Sequence, residues 1–383
     1  MNTFKFIGKI KKLEDKKDRK FIETVTFDSG WMIERVKFRV VSGDCNEFIE
    51  LSGGKWQDES KNTVYTFFTK DGATSKTEVE KAQVPWNDRF NPTIVEKVPK
   101  FKRFTVDLSS DKTRDELSKA GKTEEVAQLA ALKYTYISNY DFTMKVEELL
   151  KTNKFGDDNY VITGTVEYTF SNKNDKGTYY RSFVPTSIYK ASADDEVKCG
   201  GRIDLYYTKD NVVGEALENG DIPINGYTQF YDKMAKANFY APIGLRIKGD
   251  KENKDGFVKM FEKLGDSEAE TLVLGLNVQY YDGSEKTEIT EDDFTEDQKT
   301  MIKWGLKTVE ETIKEMGGSA FGDKVNYIYI DGVARGYTNG PQNPDVPAEK
   351  LYAKPDGVKK SGKTNASSVK IDLFSDDDED DSI

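Results

Sequence analysis

The sequence contains no histidine among its 383 residues. That absence excludes Ser-His-Asp triads, histidine-ligated metal sites and histidine proton shuttles. Two cysteines, Cys45 and Cys199, are too few for a disulfide framework or a four-cysteine zinc site, and such low usage is typical of a reducing compartment. We therefore expect no metal ion, no cofactor and no enzymatic activity.

Long hydrophobic runs are also missing. No stretch approaches the roughly 20 apolar residues that cross a bilayer. The first residues, MNTFKFIGKIKK, lack the long apolar core of a signal peptide. We expect a cytoplasmic protein that does not contact a membrane.

Charge is distributed unevenly along the chain. In total, 57 Lys and Arg oppose 68 Asp and Glu, which gives a net charge of −11. The last 13 residues contain seven acids and no base, so residues 1–370 hold 61 acids and carry a net charge of only −4. Blocks of like charge are commonly disordered interaction tails. The tail residues predicted to contact protein partners are Phe374, Asp376, Asp377, Asp378, Glu379, Asp380, Asp381 and Ile383.

Periodicity predicts a chain rich in strands. Alternation of apolar and polar residues indicates strands over 3–13, 31–41, 46–51, 63–69, 160–170, 178–189, 200–208, 239–248, 271–281 and 324–331. Helical spacing indicates helices over 140–153, 256–264 and 295–316, and one helix or a broken pair over 112–134.

Three short patterns recur in the same order. FIGKI (6–10) is echoed by CGGRI (199–203), VKFRV (36–40) by IGLRI (243–247), and YVITGTVEY (160–168) by LVLGLNVQY (272–280). Ordered repetition predicts two copies of one module, over 1–193 and 194–335. Four of the ten prolines follow Gly336, which predicts a flexible linker over 336–370 before the acidic tail at 371–383.

The order of elements in each copy is that of an OB-fold, a five-stranded Greek-key barrel. The predicted fold class is mainly β (α+β), with tandem OB-fold-like five-stranded barrels, helical insertions and a disordered acidic C-terminal tail. The first copy carries an insertion at about 55–139 between its third strand and its helix. The second carries a helical insertion at about 291–317.

Several of these segments resemble bacterial and bacteriophage single-stranded DNA-binding proteins. The resemblance rests on FKFIGKI (4–10), YVITGTVEY (160–168), YYRSFVPTSI (179–188) and the acidic tip SDDDEDDSI (375–383). The bacterial tip ends in Pro-Phe, whereas this chain ends in Ser382 and Ile383. Two modules and a large insertion fit a phage-type member better, which implies the host cytoplasm as its location.

Binding of single strands without sequence preference needs aromatic rings for base stacking beside cations for phosphates. The candidates in the first copy are Trp31, Arg35, Lys37, Arg39, Trp56, Lys173, Lys176, Tyr179, Tyr180 and Arg181. The insertion offers the run KVPKFKRF (97–104), with Lys100, Phe101, Lys102, Arg103 and Phe104 in a segment predicted to be extended. The second copy offers Arg202, Tyr206, Tyr207, Arg246, Lys248, Tyr280 and Tyr281.

Each candidate also has a purely structural interpretation. Trp31 fits a core position, and alternating bases at 35, 37 and 39 fit any solvated strand face. The run at 97–104 fits a strand edge protected by lysines. In each adjacent tyrosine pair, one ring must face outward if the pair lies on a strand.

The sequence therefore predicts a single-stranded DNA-binding protein that coats and protects DNA during phage replication, recombination and repair. The resemblance implies that its acidic tail recruits replication proteins and competes with DNA. Two modules per chain favour a monomer or homodimer. The alternative is a non-enzymatic β-barrel structural or scaffold protein whose acidic tail docks to a basic partner.

Overall fold

The computed structural model describes residues 2–15, 20–43, 45–70, 72, 78–172, 177–208, 212–262, 269–287, 294–309, 311–312 and 320–355. The strands are β1 (Thr3–Lys12), β2 (Ile22–Thr26), β3 (Trp31–Ser42), β4 (Cys45–Trp56), β5 (Thr63–Thr69), β6 (Val79–Pro85), β7 (Phe104–Asp107), β8 (Lys133–Tyr136), β9 (Asn159–Ser171), β10 (Thr178–Lys190), β11 (Lys198–Tyr207), β12 (Ile222–Asp232), β13 (Ala237–Ile247), β14 (Leu272–Thr287) and β15 (Ala320–Val333). The helices are α1 (Pro92–Lys97), α2 (Asp111–Lys119), α3 (Thr123–Ala130), α4 (Asn139–Lys151), α5 (Lys254–Glu262), α6 (Glu296–Lys303) and α7 (Glu349–Tyr352).

Five strands in the second half of the chain close into a barrel. β12 pairs antiparallel with both β11 and β13, β13 pairs in parallel with β15, and β14 joins β15 back to β11. The helix α5 lies between the third and fourth of these strands. This connectivity is that of an OB-fold, so the predicted mainly β fold class is confirmed. The sequence patterns missed β12, where Pro223 and Gly226 interrupt the apolar residues.

The first half repeats most of this connectivity. β1 pairs with β3 and β9, β3 pairs with β4, and β9 pairs with β10, with α4 between β4 and β9. The pair equivalent to β13 and β15 differs. Strands β4 and β10 lie side by side, but no ladder of hydrogen bonds joins them in the described chain. Instead, β10 pairs in parallel with β7.

The first strands of the two halves pair with each other. β1 and β11 run antiparallel, with Phe6 directly opposite Cys199. Antiparallel pairing of equivalent strands is what a two-fold axis produces. The core continues across this contact, because the Phe6 ring lies 4.7 Å from Phe183 and 5.7 Å from Tyr280. The predicted module boundary at 193/194 stays a prediction.

The first part of the segment between β4 and α4 forms a small unit, whereas β7 and β8 join the main sheet. β5 and β6 pair as an antiparallel hairpin. One face of this hairpin packs on a separate small core of Val64, Val84, Trp86, Val98 and Ile137. The predicted insertion at about 55–139 covers this segment.

The predicted helix over 112–134 is a broken pair followed by a strand. Gly121, at φ +72°, separates α2 from α3. Glycine adopts this left-handed conformation without a steric penalty, which ends a helix. Lys133 and Tyr134, which the prediction included in the helix, are the first residues of β8, which pairs with β7.

The helix predicted over 295–316 is interrupted after Lys303. Residues 309, 311 and 312 are helical again, and residues 310 and 313–316 lie outside the described residues. Gly305 has φ +68°, and its N–H donates to the carbonyl of Ile302 while the N–H of Leu306 donates to that of Met301. This pair of hydrogen bonds is the Schellman arrangement that terminates helices.

Residues 336–355, the first part of the predicted flexible linker, pack on the second barrel. Gln342 forms an isolated bridge with Val273. Leu351 is 1% exposed, and the ring of Tyr352 lies 5.5 Å from that of Tyr227. These anchors hold the segment despite its prolines. Residues 356–370 and the acidic tail lie outside the described residues.

None of the helices in the described part of the chain combines the length and hydropathy that spanning a membrane requires. Within the same residues, no three Cys, Asp or Glu side chains form a cluster able to hold a metal ion.

We predict that Gly164→Ala destabilises the fold by about 1–3 kcal/mol, the usual cost of overpacking. A Cβ at Gly164 in β9 would lie 2.0 Å from the carbonyl oxygen of Val184, and backbone atoms cannot move aside cheaply. Urea unfolding measures the change. Gly332→Ala in β15 is the matched control, because a Cβ there meets no atom within 4 Å. Equal stability of the two variants would contradict the close approach at Gly164.

Candidate nucleic-acid interface

Aromatic rings and basic side chains meet on the outer face of the second barrel. The guanidinium carbon of Arg246 lies 3.4 Å from the centre of the Tyr327 ring, and the Lys248 ammonium lies 5.1 Å from that of Tyr329. The ring of Tyr281 lies 6.4 Å from Tyr327 and 6.5 Å from Tyr329. We call these five residues the tyrosine–arginine surface.

Strand alternation places these side chains outside the barrel. On β13, Leu245 and Ile247 are buried while Arg246 is half-buried. On β15, Ile328 and Ile330 are buried, and the tyrosines between and before them face outward. Because successive residues of a strand point to opposite faces, the barrel core and the tyrosine–arginine surface are set by one pattern.

A buried carboxylate fixes this surface from below. Asp221 is 5% exposed; its Oδ1 accepts from the N–H of Gly249 (2.9 Å) and its Oδ2 from the Tyr329 hydroxyl (3.2 Å). The Arg246 guanidinium lies 3.7 Å from the same Oδ2. Burial, together with the charge of Asp221, raises the pKa of Tyr329 to about 12, so its hydroxyl stays protonated at neutral pH.

The outer face of β13 continues from Arg246 into a cavity of about 960 Å³. Gly244 lies two residues before Arg246 on this face, and Asn225 and Tyr227 of β12 flank it. Tyr352 of α7 lines the far side. The cavity and the tyrosine–arginine surface therefore both include outward-facing positions of β13.

The predicted basic face of β3 is largely neutralised by acids. Arg35 pairs with Glu23 at 3.3 Å and Lys37 with Glu50 at 3.6 Å. Arg39 lies directly opposite Lys11 of β1 in the strand register.

Trp31 and Trp56 face each other across β3 and β4. Their rings form an edge-on pair with centres 5.2 Å apart. The Trp31 ring also covers Gly54, where a Cβ would meet it at 2.3 Å. Both the structural and the binding interpretation of Trp31 stay open, because its side chain is half-buried.

The residues of the run at 97–104 divide into a structural group and an exposed group. The structure folds Lys100–Lys102 into a single 3₁₀ turn, so the predicted extended conformation is wrong there. Arg103 donates to the carbonyls of Val98 (2.6 Å) and Glu96 (2.8 Å), and Phe104 stacks on Phe142 at 5.4 Å. Lys100, Phe101 and Lys102 are exposed.

Two predicted contact tyrosines belong to the core. Tyr207 is 1% exposed and Tyr280 is not exposed at all, so neither ring can stack on a base. Their neighbours Tyr206 and Tyr281 are half-buried, as strand alternation requires. The Tyr206 ring packs at 5.1 Å against that of Tyr240.

The remaining candidates are spread over several places. Tyr179 packs against Phe170 and Phe230 at 5.0 and 5.9 Å, and Tyr180 is half-buried on the next position of β10. The guanidinium of Arg202 lies 5.7 Å from the Tyr337 ring. Lys173, Lys176 and the tail residues Phe374, Asp376–Asp381 and Ile383 lie outside the described residues.

Arg181 lies where the two halves meet. Its guanidinium lies 5.1 Å from the Phe183 ring and 5.0 Å from that of Tyr280, and it donates to Asn326 Oδ1 at 2.8 Å. The positive charge of Arg181 acts to lower the pKa of the buried Glu47 carboxyl. Burial is stronger and raises the pKa of Glu47 to about 7.

Sequence reasoning missed Asp221, Tyr327 and Tyr329. A signal for the tyrosines was present, because NYIYIDG (326–332) alternates tyrosine with isoleucine as a half-buried strand does. Asp221 carried no such signal, since its role depends on two strands that are distant in sequence.

No known family model matches this sequence, and no curated protein matches it significantly. Among solved structures, the chain is similar to a deletion mutant of the single-stranded DNA binding protein from Thermus aquaticus. The two share 8% identity over 74% of this chain and 87% of that chain, with a TM-score of 0.30. A similarity this low supports no conclusion about this chain.

We predict that Glu47→Gln stabilises the protein at pH 8 but has little effect at pH 5. The unfolded carboxyl ionises near pH 4.5 and the folded one near pH 7, so ionisation costs folded-state stability as the pH rises between these values. The gain at pH 8 relative to pH 5 is about 2 kcal/mol. Urea unfolding at both pH values measures it, with Glu50→Gln on the outward face of β4 as control. A pH-independent difference would contradict the raised pKa.

Proposed function

We propose that this protein binds single-stranded DNA without sequence preference and has no enzymatic activity. The observation that carries the proposal is the tyrosine–arginine surface, where aromatic faces alternate with cations on strands three to five of an OB-type barrel. Aromatic rings stack on bases of any sequence, and arginine and lysine neutralise phosphates. OB-folds bind oligonucleotides on the face of strands two and three and on adjoining loops, and Arg246 and Lys248 lie on and directly after the third strand of this barrel.

The magnitudes favour stacking as the main source of affinity. Each stacked base contributes about 1–3 kcal/mol. Arg246 already lies flat against Tyr327, so its geometry is fixed before a strand arrives and less side-chain entropy is lost on binding. The half-buried residues Tyr206 and Arg202 on β11, and Trp31 with Arg39 on the first barrel, would extend the path.

We further propose that the protein coats and protects exposed strands during replication, recombination and repair. Two OB-like units in one chain favour a phage-type protein that works as a monomer or homodimer. The acidic tail would recruit replication proteins. By mimicking phosphates, it would also compete with DNA for the basic groove, in a manner that depends on salt.

Replacing both Tyr281 and Tyr327 by alanine should weaken binding to poly(dT) by at least 10-fold, because two stacking faces are lost. Titration of the intrinsic fluorescence at fixed salt measures the affinity. Tyr231→Ala is the control, since Tyr231 is 56% exposed at the opposite end of β12. Wild-type protein whose fluorescence stays flat would instead favour the scaffold alternative.

Removing Ser375–Ile383 should raise the affinity for poly(dT) at low salt, and the gain should shrink as salt screens the tail. The same titration at two salt concentrations measures both effects. A tail of equal length with its Asp and Glu residues changed to Asn and Gln separates charge from length. Unchanged or weaker affinity after truncation would rule out competition by the tail.

A further inference from the structure

The hairpin of β5 and β6 presents aromatic rings to solvent on the face opposite its core. Tyr65 is 76% exposed and lies opposite Gln83, while Phe67 is half-buried and lies opposite Lys81. Residues on this face alternate with those facing inward. The inward residues Val64 and Val84 already pack in the small core, so the fold of the hairpin does not require a ring at Tyr65.

The turn at Lys100–Lys102 completes this face. Phe101 is 55% exposed. The ammonium of Lys102 lies 5.0 Å from the centre of the Phe67 ring and 5.9 Å from that of Phe101, so one cation links the hairpin to the turn. Arg103 fixes the turn through two backbone carbonyls. The backbone of the turn and the position of Lys102 between two rings are therefore set without a ligand.

The charged side chains described on this face are basic. Lys81 lies opposite Phe67, Lys102 lies beside the Phe67 ring, and Lys100 is exposed on the same turn as Lys102. In the described part of the chain, neither Lys100 nor Lys102 forms an ion pair with a carboxylate within 4.0 Å. The outward positions of β5 and β6, all of which are described, include no Asp or Glu. An isolated exposed ring needs no explanation. Here Lys102 links the rings of Phe67 and Phe101, and the exposed Tyr65 lies on the same hairpin face as Phe67, which together form a surface suited to an anionic, aromatic ligand.

We propose that Tyr65, Phe67, Lys81, Lys100, Phe101 and Lys102 form a second binding surface for single-stranded DNA, which we call the hairpin platform. The proposal rests on the proposed function of the barrel. Bases would stack on the exposed rings of Tyr65 and Phe101 while the lysines contact phosphates. A strand bound to the tyrosine–arginine surface would reach the platform as a tethered ligand, so the platform adds affinity for long strands through effective concentration.

The first test is photocrosslinking of the full chain to oligo(dT) containing 5-iododeoxyuridine, followed by peptide mass spectrometry. The expected result is crosslinks at Tyr65, Phe67 or Phe101 in addition to crosslinks on the second barrel. Crosslinks confined to the barrel would overturn the platform while leaving the proposed function intact. An absence of all crosslinks, together with flat fluorescence, would overturn both.

The second test compares oligo(dT) of increasing length on Tyr65→Ala/Phe101→Ala protein. We expect wild-type affinity for the shortest oligonucleotides that bind, and at least a 10-fold loss for long ones. Both rings are exposed, so the variant should fold, and Tyr231→Ala on the second barrel is the matched control. Equal affinity of variant and wild type for every length would contradict the proposal.

A third variant, Lys100→Ala/Lys102→Ala, separates phosphate contact from protein docking. On long oligo(dT), the slope of log affinity against log salt should fall by about 1.4, at roughly 0.7 per phosphate contact for single strands. An unchanged slope would show that these lysines do not contact DNA. In that case the exposed rings would be a surface for a protein partner.

Discussion

The pairing of β1 with β11 is the contact on which the rest of the structure depends. It joins the first strands of two similar units into one sheet and covers strand edges that would otherwise expose unpaired N–H and C=O groups. The side chains beneath it, Phe6, Phe183 and Tyr280, form one core from both halves. That shared core explains why Tyr280, which the sequence predicted as a DNA contact, is buried.

The tyrosine–arginine surface depends on a second buried element. Asp221 is costly to bury, but the donors of Gly249, Asn219 and Tyr329 offset its desolvation. In return it orients Arg246, whose planar guanidinium carries five donors and keeps some of them for a ligand. A lysine at this position would lack both the stacking and the fork geometry.

Much of the fold could be predicted from local periodicity, because each barrel strand alternates apolar and polar residues. The order of strands around α4 and α5 then indicated the OB-fold. The site was predicted less well. Arg246, Lys248 and Tyr281 do lie together, but Arg103 stabilises its own turn and Tyr207 belongs to the core. Both outcomes depend on which side of the local chain packs against the core. Residues distant in sequence decide that packing, so local periodicity cannot predict it.

Local charge, rather than net charge, decides how such a surface attracts DNA. Screening limits interactions between exposed charges to about 8–10 Å at physiological salt. Within that distance of the Arg246 guanidinium lie the Tyr327 ring, at 3.4 Å, and the buried carboxylate of Asp221, at 3.7 Å. On β3, Arg35 and Lys37 each have an acid beside them. A chain of net charge −11 can therefore still attract phosphate at local sites such as the tyrosine–arginine surface, while the acids beside Arg35 and Lys37 weaken that attraction on β3.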